Sequence, residues 1–195
     1  MVLEIVKYGD PVLRKPGEKI EKITAEIKQL IDDMFETMAA NNGVGLAAQQ
    51  VGYALQLMVL DIREVKDRPS TIEIDGKPVP PESLMPLALM NPQVAPQGEP
   101  ESGPEGCLSF PGIYADIIRP SKISVTAINQ DGKTVNFSCS GLLARAIQHE
   151  LDHLKGVLFI DRMSADTLEE LSPDIEKIKK ETISKQNKKK LTRTR

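Results

Sequence analysis

The chain contains two histidines, and they stand four residues apart in His149-Glu150-Leu151-Asp152-His153. On a helix that spacing puts both imidazoles on one face about one turn apart, where they can converge on a single ion. The arrangement is H-E-x-x-H, a pattern that pairs two metal-binding histidines with a glutamate able to act as general base. Its flanks favour burial: Leu142, Leu143, Ala146, Ile147, Leu151 and Leu154 cover most of the circumference of a helix expected over 142–155. Buried imidazoles need partners, and a metal ion supplies them more readily than scattered hydrogen bonds.

Two histidines do not complete a metal site. With no third histidine in the chain, the candidates for another ligand are Cys107, Cys139 or a carboxylate. Cys107 is favoured, because it lies between Gly106 and Leu108 in a non-helical loop where glycine lets backbone approach closely. Cys139 alternates with Val135 and Phe137 on the core face of an expected strand, where cysteine acts as an inert small hydrophobe. A Cys–His₂ set with a fourth position open to water is a catalytic rather than a structural geometry. One thiolate leaves a divalent centre about +1, enough to acidify water. Glu150 projects about 100° around the helix from His149, within reach of that water without being a ligand. The reaction class is metal-assisted hydrolysis of a carbonyl compound.

These residues need a scaffold, and the pattern supplies one. Thr24 caps a helix whose apolar face is Ile27, Leu30, Ile31, Met34, Phe35 and Met38, ending at Asn41-Asn42-Gly43. Leu55–Ile62 and Leu87–Met90 are short strand candidates, and Pro92–Pro104 is a Pro- and Gly-rich connection. Residues 63–86 form a surface excursion with a small hairpin at Asp75-Gly76. Ile123–Ala127 and Val135–Cys139 alternate around Gln130-Asp131-Gly132-Lys133 as an antiparallel hairpin. Ser140 introduces the histidine helix, and a last helix, interrupted near Ser172-Pro173, grades into a lysine-rich end. The fold class is α+β: antiparallel sheets packed around a central HExxH helix, with an N-terminal and a C-terminal helix. Residues 1–165 form the catalytic domain and 166–195 a C-terminal helix with a basic tail.

A length of 195 residues suits one domain with a core large enough for a buried site. Two cysteines cannot make a disulfide framework. No apolar run approaches the roughly 20 residues of a membrane span, and the first residues lack the regions of a signal peptide, so a cytoplasmic location is expected. Residues 177–195 carry 9 Lys+Arg and 1 acid, leaving 16 bases and 27 acids in the other 176 residues. An acidic body with a basic tail suggests that the tail meets a polyanion.

Three segments, Gly43-Val44-Gly45-Leu46-Ala47-Ala48-Gln49-Gln50, Glu105-Gly106-Cys107-Leu108-Ser109 and Gln148-His149-Glu150-Leu151-Asp152-His153, resemble in order and spacing the three signature motifs of the peptide deformylase family. The resemblance implies a cytoplasmic hydrolase that removes the formyl group from the N-terminal methionine of newly made proteins, releasing formate. It makes Cys107, His149 and His153 the metal ligands and Glu150 the acid/base. It adds Gln50, through its side-chain amide, and Leu108, through its backbone N–H, as donors to the oxyanion. Val44, Gly45 and Glu105 fall on the substrate side, Val44 lining a methionine pocket and Glu105 paired with Arg119. The implied metal is Fe²⁺ in the cell, with Zn²⁺ or Ni²⁺ after purification. The implied partners are the N-formylmethionyl peptide and, through the basic tail, the ribosome; DNA and membrane are not expected. Arg145 departs from the pattern, standing where some members carry an aliphatic residue.

Two other readings compete. A zinc endopeptidase could use the same helix motif, but its third ligand is normally a downstream His or Glu, and no histidine follows His153. The basic tail alternatively suggests a non-catalytic, ribosome-associated metal module.

Overall fold

In the computed structural model, which describes residues 1–193 and side chains as far as Lys188, three helices and seven strands follow one another. They are α1 (Ala25–Ala40), β1 (Gly45–Ala47), β2 (Leu57–Leu60), β3 (Ser70–Ile74), β4 (Lys77–Val79), β5 (Leu87–Cys107), β6 (Phe110–Ile128), β7 (Thr134–Ser140), α2 (Gly141–Leu154) and α3 (Ala165–Arg193). All strand pairings are antiparallel, in the order β1-β2-β5-β6-β7-β3-β4. The chain is α+β, with α2 packed centrally against the sheet. None of the described helices is long and apolar enough to cross a membrane.

The first helix forms as its pattern dictates. Thr24 Oγ1 accepts the Ile27 N–H at its start, a cap worth about 1 kcal/mol. Its buried stripe of Leu30, Ile31, Met34 and Met38 lies against Leu46, Leu57, Val59 and Ala88 of the sheet. On the other side of the sheet, Leu143, Ile147 and Leu154 of α2 pack with Met58, Leu60, Leu89, Ile123 and Cys139. Burial pushes the Cys139 thiol up to about 12, which fits an inert core residue. A third cluster joins Phe110, Ile113 and Ile117 of β6 to Phe159 and to Ile175 of α3.

Three expectations change. The stretch after Met90 is strand rather than connection: β5 continues to Cys107, paired with β6 through Glu105↔Ala115 and Gly106↔Tyr114. Register shifts at Met90/Gln93 and Gln97/Pro100 absorb the irregularity, and past Gln93 β5 pairs only with β6, an edge position where proline is tolerated. The 63–86 segment does form a hairpin, β3–β4, but it is not merely superficial. Ile72 pairs with Cys139 of β7 and is 1% exposed.

That hairpin also supplies bonds at the start of α2, where Ser140 stands at the N-cap as expected. Ser140 makes no capping bond; Ser70 Oγ accepts the Leu143 N–H at 2.9 Å, and the Pro69 carbonyl accepts that of Leu142. The cap thus comes from a distant segment, which fixes where the histidine helix begins. Finally, α3 runs unbroken through Pro173. Proline cannot satisfy the Glu169 carbonyl, and the Ser172 hydroxyl donates to it instead at 3.0 Å. The expected basic tail, 177–195, lies on this helix up to Arg193, and Thr194 and Arg195 lie outside the described residues.

Candidate metal centre and active site

The long β5 strand ends at Cys107, and the reversal at Leu108-Ser109 starts β6, so this turn brings the sulfur over α2. Cys107 Sγ lies 3.4 Å from His153 Nε2. The ligand atoms of Cys107, His149 and His153 are all within 4.8 Å of one another, the one such trio among the described residues. The two imidazoles meet edge to face with centroids 5.2 Å apart, as a four-residue helical spacing requires.

Glu105 fixes the first imidazole. One carboxylate oxygen meets His149 Nδ1 at 2.8 Å, which leaves Nε2 as the ring nitrogen available to an ion. Arg119 grips the same carboxylate twice, at 2.5 and 2.9 Å, and extends a third bond of 2.9 Å to Asp152 on α2. Asp152 in turn is held by Arg162 at 2.5 and 2.6 Å. Burial alone would raise the Glu105 carboxyl, but the bonds from His149 and Arg119 outweigh it and hold it down to about 2. Both its oxygens are engaged by protein groups, although the residue is part of the cavity lining.

The electrostatics call for a cation. Burial opposes a charged His149, yet the Cys107 sulfur and Glu105 overcome it and lift its affinity for a proton well above the ordinary histidine value. Burial, followed by the proximity of His149, drives His153 the other way. His153 Nδ1 is buried without a partner. One soft sulfur and two imidazoles suit a divalent transition metal, so the donor set fits such an ion.

Around this trio lies a cavity of about 590 Å³, lined by Val44, Gly45, Gln50, Leu108, His149 and Glu150 among others. Gln50 sits on a short 3-10 turn, Ala48–Val51, directly after β1. Its Oε1 accepts the Ala47 N–H at 2.9 Å, which leaves Nε2 facing Cys107 Sγ at 3.5 Å and Ser109 Oγ at 3.4 Å. Glu150 is fully enclosed, and its Oε2 has no hydrogen-bond partner. Burial pushes its carboxyl up to about 7.

The model of the polypeptide deformylase family matches residues 2–169 of this chain. The chain belongs to the polypeptide deformylase family. The peptide deformylase of Methylacidiphilum infernorum is 45% identical over 180 residues, 92% of this chain and 94% of the relative. Among solved structures, Arabidopsis thaliana peptide deformylase 1B superposes with a TM-score of 0.80 at 37% identity, covering 94% and 93% of the two chains. The Synechococcus elongatus peptide deformylase, solved in complex with actinonin, gives 0.75 at 39% identity over 88% and 85%. Deformylases are metal-dependent hydrolases that remove the N-formyl group from nascent peptides, and that is the activity of this chain. The endopeptidase reading is not favoured.

Every deformylase-motif residue singled out in the sequence falls at this one place. Cys107, His149, Glu150, Gln50, Leu108, Val44, Gly45 and Glu105 line the cavity, and His153 lies behind Cys107. The Arg145 side chain, unexpected in the pattern, donates to Ile117 O at 2.7 Å, Glu101 O at 2.9 Å and Glu105 Oε1 at 3.1 Å. It therefore ties β5 and β6 to α2 while its flank lines the cavity. Sequence reasoning missed Lys7, Arg68 and Tyr114, which also line it. No local pattern marks Lys7 or Tyr114; Arg68 is one of four cations in the 63–86 excursion, and only the fold brings it to the rim.

Proposed function

We propose that this chain deformylates N-formylmethionyl peptides with Cys107, His149 and His153 holding one divalent ion. In the cell that ion is Fe²⁺, and Zn²⁺ or Ni²⁺ replaces it in purified protein. When bound, the ion supplies a Lewis acid that acidifies water and polarises a carbonyl. Glu150 takes the proton of the attacking water on its free Oε2 and returns it to the amine that leaves. Gln50 Nε2 and the Leu108 N–H donate to the formyl oxygen as it gains charge; losing one such donor typically costs on the order of 10²–10³ in rate.

The peptide lies extended along Val44 and Gly45, on the side of β1 that no strand covers among the described residues. Main-chain bonds of that kind read any sequence, and Val44 with the Arg145 flank shapes the space for the methionine side chain. Glu105 orients His149 from behind. The basic tail, 177–195, docks on the ribosome, and the protein works in the cytoplasm.

One observation carries this reading. A buried carboxylate with one unpartnered oxygen, the Gln50 amide nitrogen and a Cys–His–His trio converge at a single cavity, the amide nitrogen 3.5 Å from the Cys107 sulfur. The test compares a formyl-Met peptide with an internally cleavable, unformylated peptide. Formate release from the first alone is expected, and turnover of only the second would overturn the reading. Deleting 177–195 should abolish salt-sensitive ribosome binding; unchanged binding would leave the tail merely solubilising.

A further inference from the structure

We propose that Lys7 is a positioning residue for deformylation, holding the Leu108 turn through its carbonyl so that the Leu108 N–H stays aimed at the reacting oxygen. The inference rests on the reading of Leu108 as an oxyanion donor. Lys7 lies in no motif, 101 residues before Leu108, yet its ammonium donates to the Leu108 carbonyl at 2.6 Å. A charge-assisted bond of that length is among the stronger contacts available to a loop.

Its neighbours show that the bond is part of a strap. The Val6 N–H donates to the Gln50 carbonyl at 2.8 Å and the Tyr8 N–H to the Ser109 carbonyl at 3.0 Å. Three consecutive residues thus fasten the segment that carries the Gln50 amide and the turn that carries the Leu108 N–H. Those two loops share no strand pairing, so the strap joins them beside the long contacts of Gln50 Nε2 with Cys107 Sγ at 3.5 Å and Ser109 Oγ at 3.4 Å. The Tyr8 ring stacks on Phe110 at 4.8 Å, just past the turn.

The far side of the strap is held as well. Gln186 of α3 donates to Asp10 Oδ2 at 2.5 Å. Gly9, with φ +110°, lets the strap touch that helix, since a Cβ there would lie 2.8 Å from the Lys179 carbonyl. The strap is therefore wedged between α3 and the two donor loops, with the Lys7 ammonium at the cavity wall. A donor displaced by even an ångström loses much of its effect on the transition state.

Lys7→Met keeps the stem and removes the donor, whereas Lys7→Arg keeps a cation that can reach the same carbonyl. Both are compared with the wild-type full-length chain, each loaded with zinc, for kcat and KM on a formyl-Met peptide and for amide hydrogen exchange at Leu108 and Ser109. For Lys7→Met the expectation is a kcat lower by roughly 10- to 100-fold, KM little changed, and faster exchange at those amides. Lys7→Arg should recover most of both. Unchanged kcat and exchange in Lys7→Met would overturn the proposal. So would a raised KM with kcat intact, which would make Lys7 a direct substrate contact. If the wild-type chain released no formate, the deformylase reading would fail, and the exchange comparison would still decide whether Lys7 holds the turn.

Discussion

A Cβ placed on Gly45 would lie 2.6 Å from Glu150 Oε1. The glycine of the first motif is thus where it is because the carboxylate of the third motif occupies the space that any side chain would need. Gly45 belongs to β1, paired with Leu60, so the strand cannot simply retreat.

Gly45→Ala is therefore expected to move the Glu150 carboxylate rather than the strand. Displacing a general base of this kind should cost about 10²-fold in kcat. Metal content, measured by elemental analysis, should stay at the wild-type level, because the atoms nearest that space all belong to Glu150 rather than to Cys107, His149 or His153. Near wild-type kcat in Gly45→Ala would show that Glu150 has room to spare and would weaken its assignment.

Arg119 is 3% exposed and ties Glu105 to Asp152, so removing it breaks the buried link between them and leaves Glu105 only Arg145, and Asp152 only Arg162, as an arginine partner. Breaking one partner of such a buried pair typically costs about 3–5 kcal/mol. Arg119→Met should lower stability in urea by that order, and metal affinity should drop roughly 10- to 100-fold as His149 loses its fixed orientation. The double variant Arg119→Met/Glu105→Gln should regain part of the stability but not the affinity.

The pairing of Arg14 with Asp161 joins the N-terminal segment to the turn after α2, with a second contact of 3.0 Å. Partial burial raises the Asp161 carboxyl, but the bond from Arg14 outweighs it and leaves it below its ordinary value of 3.8. A carboxyl depressed in the folded state binds its proton more readily when unfolded. Its stabilisation is therefore complete above about pH 5 and is lost as pH falls through the folded value. Urea unfolding of wild type and Asp161→Asn should differ at pH 7 and converge toward pH 3. A constant gap across that range would contradict the assignment.

The site was far more legible than the scaffold around it. His149 and His153 declare themselves by a four-residue spacing that any helix converts into shared facing, and Cys107 by a glycine-flanked turn. What sequence could not give was partnership at long range. Ser140 stands at the N-cap of α2 as expected, but the bond to the first turn comes from Ser70, 73 residues before Leu143, and has no local signature. The prolines and glycines of 92–104 argue against a strand wherever both edges must bond, yet β5 has only one partner there. Lys7 reaches Leu108 only because the fold lays the N-terminal segment across both donor loops. Pro173 failed to break α3 because Ser172 satisfies the carbonyl that proline leaves free.

The most direct test of the account is X-ray absorption at the zinc edge of the zinc-loaded chain. The account predicts one sulfur near 2.3 Å and two imidazole nitrogens near 2.0–2.1 Å, with the sulfur contribution lost in Cys107→Ser. A coordination shell of nitrogen and oxygen alone in the wild-type protein would contradict it.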